Sequence, residues 1–391
     1  MSTVLLALLL ASQGVGIINV GQSTCIGTTA TPARTTVDDG NFRFTTNAFL
    51  AGLDGQGGFN STGVDWPLSA LTEATFESPW SQSARQFRAV TGSPVTVFGN
   101  CVGGIQYSAM KKGTVSFDRL EKLIEGFGAR VPNARVAAVL AYNGEANTQA
   151  ATPRATFAAN LLEWQTDIQA KVRLSTRTGA STTVPLVVRQ LASWTHYNTT
   201  GFIALGQYDA MKANPGRIVV AGGGYPFVYS GDGVHPTADG SCHMGAMMGR
   251  VAGFVSMDPW WRPLMPISVT RVANVITVAF NVPSPPLVVD TTLVTAQTNR
   301  GFEYTDATTS ASISSVSCGA TTCTITLNTT PTGGTRLLRY AYTGTNGDNA
   351  GPTAGPRGNI RDSGGNAASV TCNGTPIPLH NWLVTFEEDV P

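Results

Sequence analysis

Apolar and polar positions change their period along this chain. From about residue 16 to about residue 255, short β-branched runs alternate with longer stretches in which apolar residues recur every three or four positions. Ile17-Ile18-Asn19-Val20 reads as a strand, and so do residues 95–98, 136–142, 185–188 and 218–221. Between them, Phe117, Leu120, Leu123, Ile124 and Phe127 mark one face of a helix opening at Ser116. Phe157, Leu161, Leu162, Trp164 and Ile168 mark a longer helix that begins at Pro153, and residues 202–211 and 235–255 carry two more. The strands are apolar without alternation, the pattern of a parallel sheet covered on both faces, so the expected fold class is α/β.

Past Pro259-Trp260-Trp261-Arg262-Pro263 the period drops to two. Short alternating runs at residues 267–270, 275–278 and 323–327 are separated by Gly, Pro and Asn turns, and no helical stripe follows. That predicts an all-β sandwich as a second domain, residues 263–391, behind an α/β domain at residues 1–262. Residues 38–90, rich in Gly, Asn, Ser and Thr, have weak periodicity in either sense. A stretch this long reads as a functional loop or an insertion over a site.

Composition narrows the functions. At 391 residues the chain is long enough for two domains. A net charge of +1, with 13% charged residues and no basic run, argues against nucleic-acid binding. Residues 4–11 are the only membrane-like run, far short of the ~20 residues of a membrane span. No Lys or Arg precedes that run, and it leads almost directly into the first strand, so a buried entry is expected rather than a signal peptide. The six cysteines form no paired C-x-x-C pattern, so no metal site is expected. Cys318 and Cys323 flank a predicted hairpin turn, where a bridge and two unpaired small residues are both open readings.

Candidate chemistry gathers at one rim of the expected sheet. Ligands of open α/β sheets bind outside the carboxyl ends of the strands. Ser23, Gly103 and Asn143 each follow a predicted strand, while Asp232 and His235 sit in the loop before the last helix of the α/β part. A serine hydroxyl is inert until a base takes its proton. Of the four histidines only His235, in Asp232-Gly233-Val234-His235-Pro236, has a carboxylate at a spacing that can orient it. Asp232 would hold the Nδ1 proton and leave Nε2 for Ser23. The Ser23 amide, Gly103 in Gly103-Gly104, and the Asn143 side chain are candidate donors to a developing oxyanion. Trp66, Trp80, Trp194 and Tyr197 are candidate substrate-contacting aromatic residues near the rim.

In this order, Gly21-Gln22-Ser23, Val102-Gly103-Gly104, Asn143-Gly144-Glu145 and Asp232-x-x-His235 resemble the blocks of SGNH/GDSL hydrolases, most closely the sialate O-acetylesterase and carbohydrate-esterase branch. Over residues 16–255 the resemblance implies a flavodoxin-like three-layer domain. It also implies Ser23 as nucleophile, His235 as base, Asp232 as orienter, an oxyanion hole of Ser23, Gly103 and Asn143, and no cofactor. The chain departs from the pattern in Thr24 after the serine, where Asn is usual. It departs again in Asn143, where Gln is usual, and in Ile105 after the paired glycines. Glu145, beside the oxyanion residue, reads as a hydrogen-bonding support. Arg300-Gly301-Phe302-Glu303-Tyr304 and residues 358–363 resemble the β-sandwich of bacteriophage SGNH esterases, including tailspike deacetylases. The implied roles of that sandwich are carbohydrate binding or a structural cap.

The expected activity is therefore removal of O-acetyl groups from a polysaccharide. The expected place of action is a virion tail or the cell exterior, with a homotrimer if the chain is a tail protein. A short-chain carboxylesterase or lipase with the same triad is one alternative. A non-catalytic glycan-binding adhesin is the other.

Overall fold

The computed structural model describes residues 14–34, 38–44, 68–71, 73, 76–307 and 311–391. Five consecutive parallel strands make up most of a seven-stranded sheet: β1 (Val15–Gly21), β4 (Thr96–Cys101), β5 (Arg135–Tyr142), β6 (Leu186–Val188) and β7 (Ile218–Val220). Their spatial order is β4-β1-β5-β6-β7. Taken by themselves these five have the 2-1-3-4-5 order of doubly wound flavodoxin-like sheets. β1, β4, β6 and β7 are buried almost end to end, which is why their sequences lack alternation.

Helices cover both faces. α3 (Val115–Arg130), α5 (Arg154–Ser175) and α6 (Phe202–Ala213) pack side by side on one face, and α2 (Trp80–Thr91) lies against α7 (Ala238–Met257) on the other. Two short helices, α1 (Ser23–Ile26) and α4 (Glu145–Gln149), follow β1 and β5 directly. α3 buries Phe117, Leu120, Leu123, Ile124 and Phe127, the face read from the sequence, and Thr114 caps it by accepting from the Phe117 N–H. No described helix is long and apolar enough to cross a membrane.

Part of the 38–90 region, read as a functional loop or an insertion over a site, carries regular elements. β2 (Asp38–Phe44) joins β4 in parallel, β3 (Leu68–Leu71) pairs antiparallel with β2, and α2 closes the region. Residues 45–67, Trp66 among them, lie outside the described residues. α2 escaped the periodicity because its buried face mixes Trp80, Ala84 and Phe87 with Ser81, Gln82 and Ser83. Those small polar residues allow close contact with α7. A Cβ added at Gly249 would lie 2.0 Å from the Ser83 carbonyl oxygen.

The C-terminal part is built from antiparallel sheets. One has the order β12 (Ile313–Cys318), β13 (Thr322–Leu327), β9 (Val275–Asn281), β8 (Met265–Val272). Another has the order β11 (Phe302–Asp306), β14 (Arg336–Tyr340), β18 (Phe386–Asp389). Ile276, Val278 and Phe280 point inward on β9, as period-two alternation requires.

Buried contacts bind this part to the α/β sheet. The Gln190 side chain donates to the Thr385 carbonyl at 2.8 Å and accepts from the Thr385 N–H at 2.7 Å. Tyr208 of α6 packs on Phe386, and Cys242 of α7 is disulfide-bonded to Cys372. The other bridges are Cys25–Cys101 and Cys318–Cys323, the latter between directly opposed residues of the β12–β13 hairpin.

Candidate active site

β1 ends at Gly21, and the chain turns at once into α1, which places Ser23 at the carboxyl edge of the sheet's central strand. Gln22, nearly fully buried, stitches this corner to the next strand. Its N–H donates to the Tyr142 carbonyl at 3.0 Å, and its side-chain oxygen accepts from the Gly144 and Ala146 N–H groups at 3.4 Å each. Thr24, standing where the resembling family has Asn, donates to the Tyr142 carbonyl at 3.4 Å. The turn after β1 is thus locked onto the turn after β5. The Cys25–Cys101 disulfide also ties α1 to the end of β4, two residues before Gly103.

Asp232 and His235 come to Ser23 on the loop before α7. His235 Nε2 lies 2.7 Å from Ser23 Oγ, and His235 Nδ1 lies 2.7 Å from Asp232 Oδ2. The other carboxylate oxygen, Oδ1, accepts from the Ser230 hydroxyl at 2.7 Å and from the Val234 and His235 N–H groups at 2.9 Å each. Gly233, at φ +73°, supplies the left-handed turn that lets the carboxylate reach back to those amides. Partial burial acts to raise the Asp232 carboxyl. The His235 N–H and ring, the Val234 N–H and the Ser230 hydroxyl outweigh it and hold the group well below the usual carboxylate range. Asp232 is therefore an anion at neutral pH, and its hydrogen bond puts the imidazole proton on Nδ1. Nε2 is left to accept from Ser23.

Around Ser23 lies an open cleft of about 610 Å³ lined by Gln22, Ile26, Thr28, Val102, Gly103, Gly104, Ile105, Ala146, Gln149, Tyr197, Val234 and His235. Gly103 is exposed on its wall, and a Cβ there would lie 4.0 Å from the Ser23 Cβ. Neither the Ser23 N–H nor the Gly103 N–H donates a hydrogen bond among the described residues. Asn143 is fully buried at the end of β5, with both side-chain amide atoms unpartnered. Asn143 is not among the residues that line the cleft, so the structure does not bring this candidate donor onto the wall beside Ser23 and Gly103.

Beneath the β5–α4 turn lies a buried ion pair. Glu145 accepts from Arg189 Nη2 and from the Ser193 hydroxyl, and Arg189 Nη1 reaches the Tyr229 hydroxyl at 3.5 Å. Both members of the pair are about 1% exposed. Burial works against the Arg189 charge, but Glu145 beside it outweighs that cost, and the guanidinium pKa rises. Glu145 is thus held beneath the turn that follows β5. Its partner Arg189 was not foreseen, although an arginine directly after an apolar buried strand was the available signal. Gln22 and the Cys25–Cys101 bridge were missed as well.

Two of the four aromatic candidates are corrected. Trp80 is 3% exposed, and its indole N–H donates to the Cys25 carbonyl beneath α1; Trp194 is fully buried. Neither offers a ring face to a sugar, because each fills the core under a turn that carries site residues. Tyr197 does line the cleft, half-buried, and burial together with the nearby charges of Glu145 and Asp232 pushes its phenol up, so it stays neutral. Trp66 is outside the described residues.

No protein-family model and no curated protein sequence matches the chain. Among solved structures it is similar to a carbohydrate acetylesterase from Xanthomonas citri, at 13% identity and a TM-score of 0.58, over 96% of this chain and 80% of that one. A protein from Arabidopsis thaliana aligns at 13% identity, over 61% of this chain and 98% of its own, with a TM-score of 0.45. A lipase from a goat rumen metagenome aligns at 12% identity, over 61% and 98%, with a TM-score of 0.34. The last two values are too low to argue from. The first is a likeness of fold: this chain has the α/β architecture with appended β-sheets of that acetylesterase.

Proposed function

We propose that the protein is a serine esterase that removes O-acetyl groups from a carbohydrate. The observation carrying this reading is the unbroken chain of short contacts from Ser23 through His235 to Asp232, opening on a cleft. As Ser23 Oγ attacks the acetyl carbonyl, its proton passes to His235 Nε2, and Asp232 stabilises the imidazolium that forms. The N–H groups of Ser23 and Gly103, residues that line the cleft, would receive the oxyanion. When the tetrahedral intermediate collapses, the proton moves from His235 to the departing sugar oxygen, leaving acetyl-Ser23. Water, deprotonated by His235, then releases acetate.

The cleft supports a short acyl group on a polar alcohol over a fatty ester. Its apolar side chains, Ile26, Val102, Ile105, Ala146 and Val234, include no long or aromatic group, and they are bordered by Thr28, Gln149 and Tyr197. Three disulfides support work in an oxidising setting such as the cell exterior or a virion. The test is hydrolysis of p-nitrophenyl acetate, butyrate and octanoate, together with acetate release from acetylated polysaccharides. The expected result is cleavage of acetate esters that falls with chain length and drops to background in Ser23→Ala and His235→Ala. A preference for octanoate would favour a lipase. Absence of activity in the wild type would leave a glycan-binding role.

A further inference from the structure

The segment running from Tyr342 to Gly355 leaves the C-terminal sheets and crosses to the loop that precedes α6. Three backbone hydrogen bonds hold it there: Gly201 N–H to the Tyr342 carbonyl at 3.2 Å, Gly344 N–H to the Thr199 carbonyl at 2.8 Å, and Gly347 N–H to the Thr195 carbonyl at 2.6 Å. Thr200 and Thr343 form a further bridge. This anchoring brings the half-buried Asn349 onto the loop between Asp232 and His235. A Cβ built on Gly233 would lie 2.9 Å from Asn349 Oδ1 and 3.3 Å from His196 Nδ1.

Two side chains from different parts of the chain thus converge over one residue, beside Val234 and His235 at the edge of the cleft. His196, exposed, is held edge-on to the Tyr197 ring at 4.5 Å. Neither the His196 ring nitrogens nor the Asn349 amide makes a hydrogen bond among the described residues. Polar groups ordered by their backbones, with open hydrogen-bonding capacity, suit a ligand carrying several hydroxyls, and the neutral Tyr197 adds a ring face for its C–H surface.

We propose that Asn349, His196 and Tyr197 form the subsite for the sugar that leaves, on the Asp232–His235 side of the cleft. The C-terminal part then completes the active site and is not only a cap or a separately tethered binding module. This inference rests on the esterase reading. Its ligand class is a polyhydroxylated alcohol, recognised through hydroxyl hydrogen bonds to Asn349 and His196. Contact with the leaving sugar, and not with the acyl group, is what makes the subsite testable.

The experiment measures kcat and KM for two esters in the full chain. One is a randomly mono-O-acetylated methyl glucoside mixture, and the other is p-nitrophenyl acetate, whose leaving group has no hydroxyls beyond the one formed. Asn349→Ala and His196→Ala are expected to lower the ratio of kcat/KM on the sugar ester to kcat/KM on the aryl ester about fivefold to tenfold each. Most of that loss should appear in KM. Asn349→Ser and His196→Gln, which keep a polar group, should recover part of it. A ratio that stays within twofold of wild type in both alanine variants overturns the subsite, and so does wild-type enzyme that cleaves the aryl ester but not the sugar ester. A wild type that cleaves neither ester overturns the esterase reading first, so the two failures are distinguishable.

Discussion

Replacing Asp232 by asparagine tests the proton relay while leaving its loop intact. The substitution is nearly isosteric, and the retained oxygen can still accept from Ser230, Val234 and His235, the three donors now held by Oδ1. The change falls at Oδ2, where an amide N–H would face His235 Nδ1 across the present 2.7 Å contact. A donor there favours the tautomer with its proton on Nε2, so the imidazole would meet Ser23 as a donor and could not take its proton. In a fully buried triad the wrong tautomer costs about 10⁴ in kcat. The Asp232 side chain is 41% exposed, so water can solvate Nδ1 and restore the working tautomer in part of the population. The expected loss is therefore on the order of 10²–10³ in kcat, or about 3–4 kcal/mol in the barrier. Initial rates of p-nitrophenyl acetate hydrolysis at saturating substrate measure it directly, with circular dichroism to check the fold. An Asp232→Asn enzyme that retains more than a tenth of wild-type kcat, while Ser23→Ala is inactive, would show that His235 is oriented by something other than this carboxylate.

Other perturbations reach the supports of the site. Cys25→Ser with Cys101→Ser opens a bridge of sequence separation 76; the chain-entropy relation puts the lost stability at ~4 kcal/mol, read as a lower urea midpoint, and kcat should fall as the Ser23–Gly103 spacing loosens. Gly249→Ala forces a Cβ to 2.0 Å from the Ser83 carbonyl oxygen, so α2 and α7 must separate; a loss of about 1–3 kcal/mol is expected, and an unchanged melting temperature would contradict the packing described. Burial, helped by the positive field of His380, pushes His243 down to about 4. The unfolded chain then binds the extra proton first, so the associated stability is full above pH ~6.5 and is lost as pH falls through about 4. His243→Gln should flatten urea midpoints over that window, and an undiminished slope would reject the assignment.

Some of this architecture was legible because burial leaves a one-dimensional trace. Strands covered on both faces read as unbroken apolar runs, and α3 reads as a stripe, since nothing but core contacts those positions. α2 left no such trace: it packs through serines against a glycine of α7, and small-residue contact has no hydrophobic period. Trp80 and Trp194 misled for a related reason, because an aromatic beside a rim turn is as well suited to the core beneath it as to the surface above. Two disulfide partnerships were likewise unreadable, joining cysteines 76 and 130 positions apart, whereas Cys318–Cys323 had been one of two open readings of a hairpin.

By itself the sequence determined which residue types were on hand for the site and on which edge of the sheet they would emerge. A parallel strand must end at the carboxyl rim, and the residue after it must appear there. Asp232 and His235 were readable as a pair because they stand three positions apart on one loop. Only the tertiary structure decided that His235 meets Ser23 across 212 positions, that Glu145 is neutralised by Arg189, and that Asn349 arrives from the β-sheets. Those contacts depend on how strands order themselves within the sheet and how separate segments dock. Such choices follow from the total burial of the folded chain and not from any local pattern of residues.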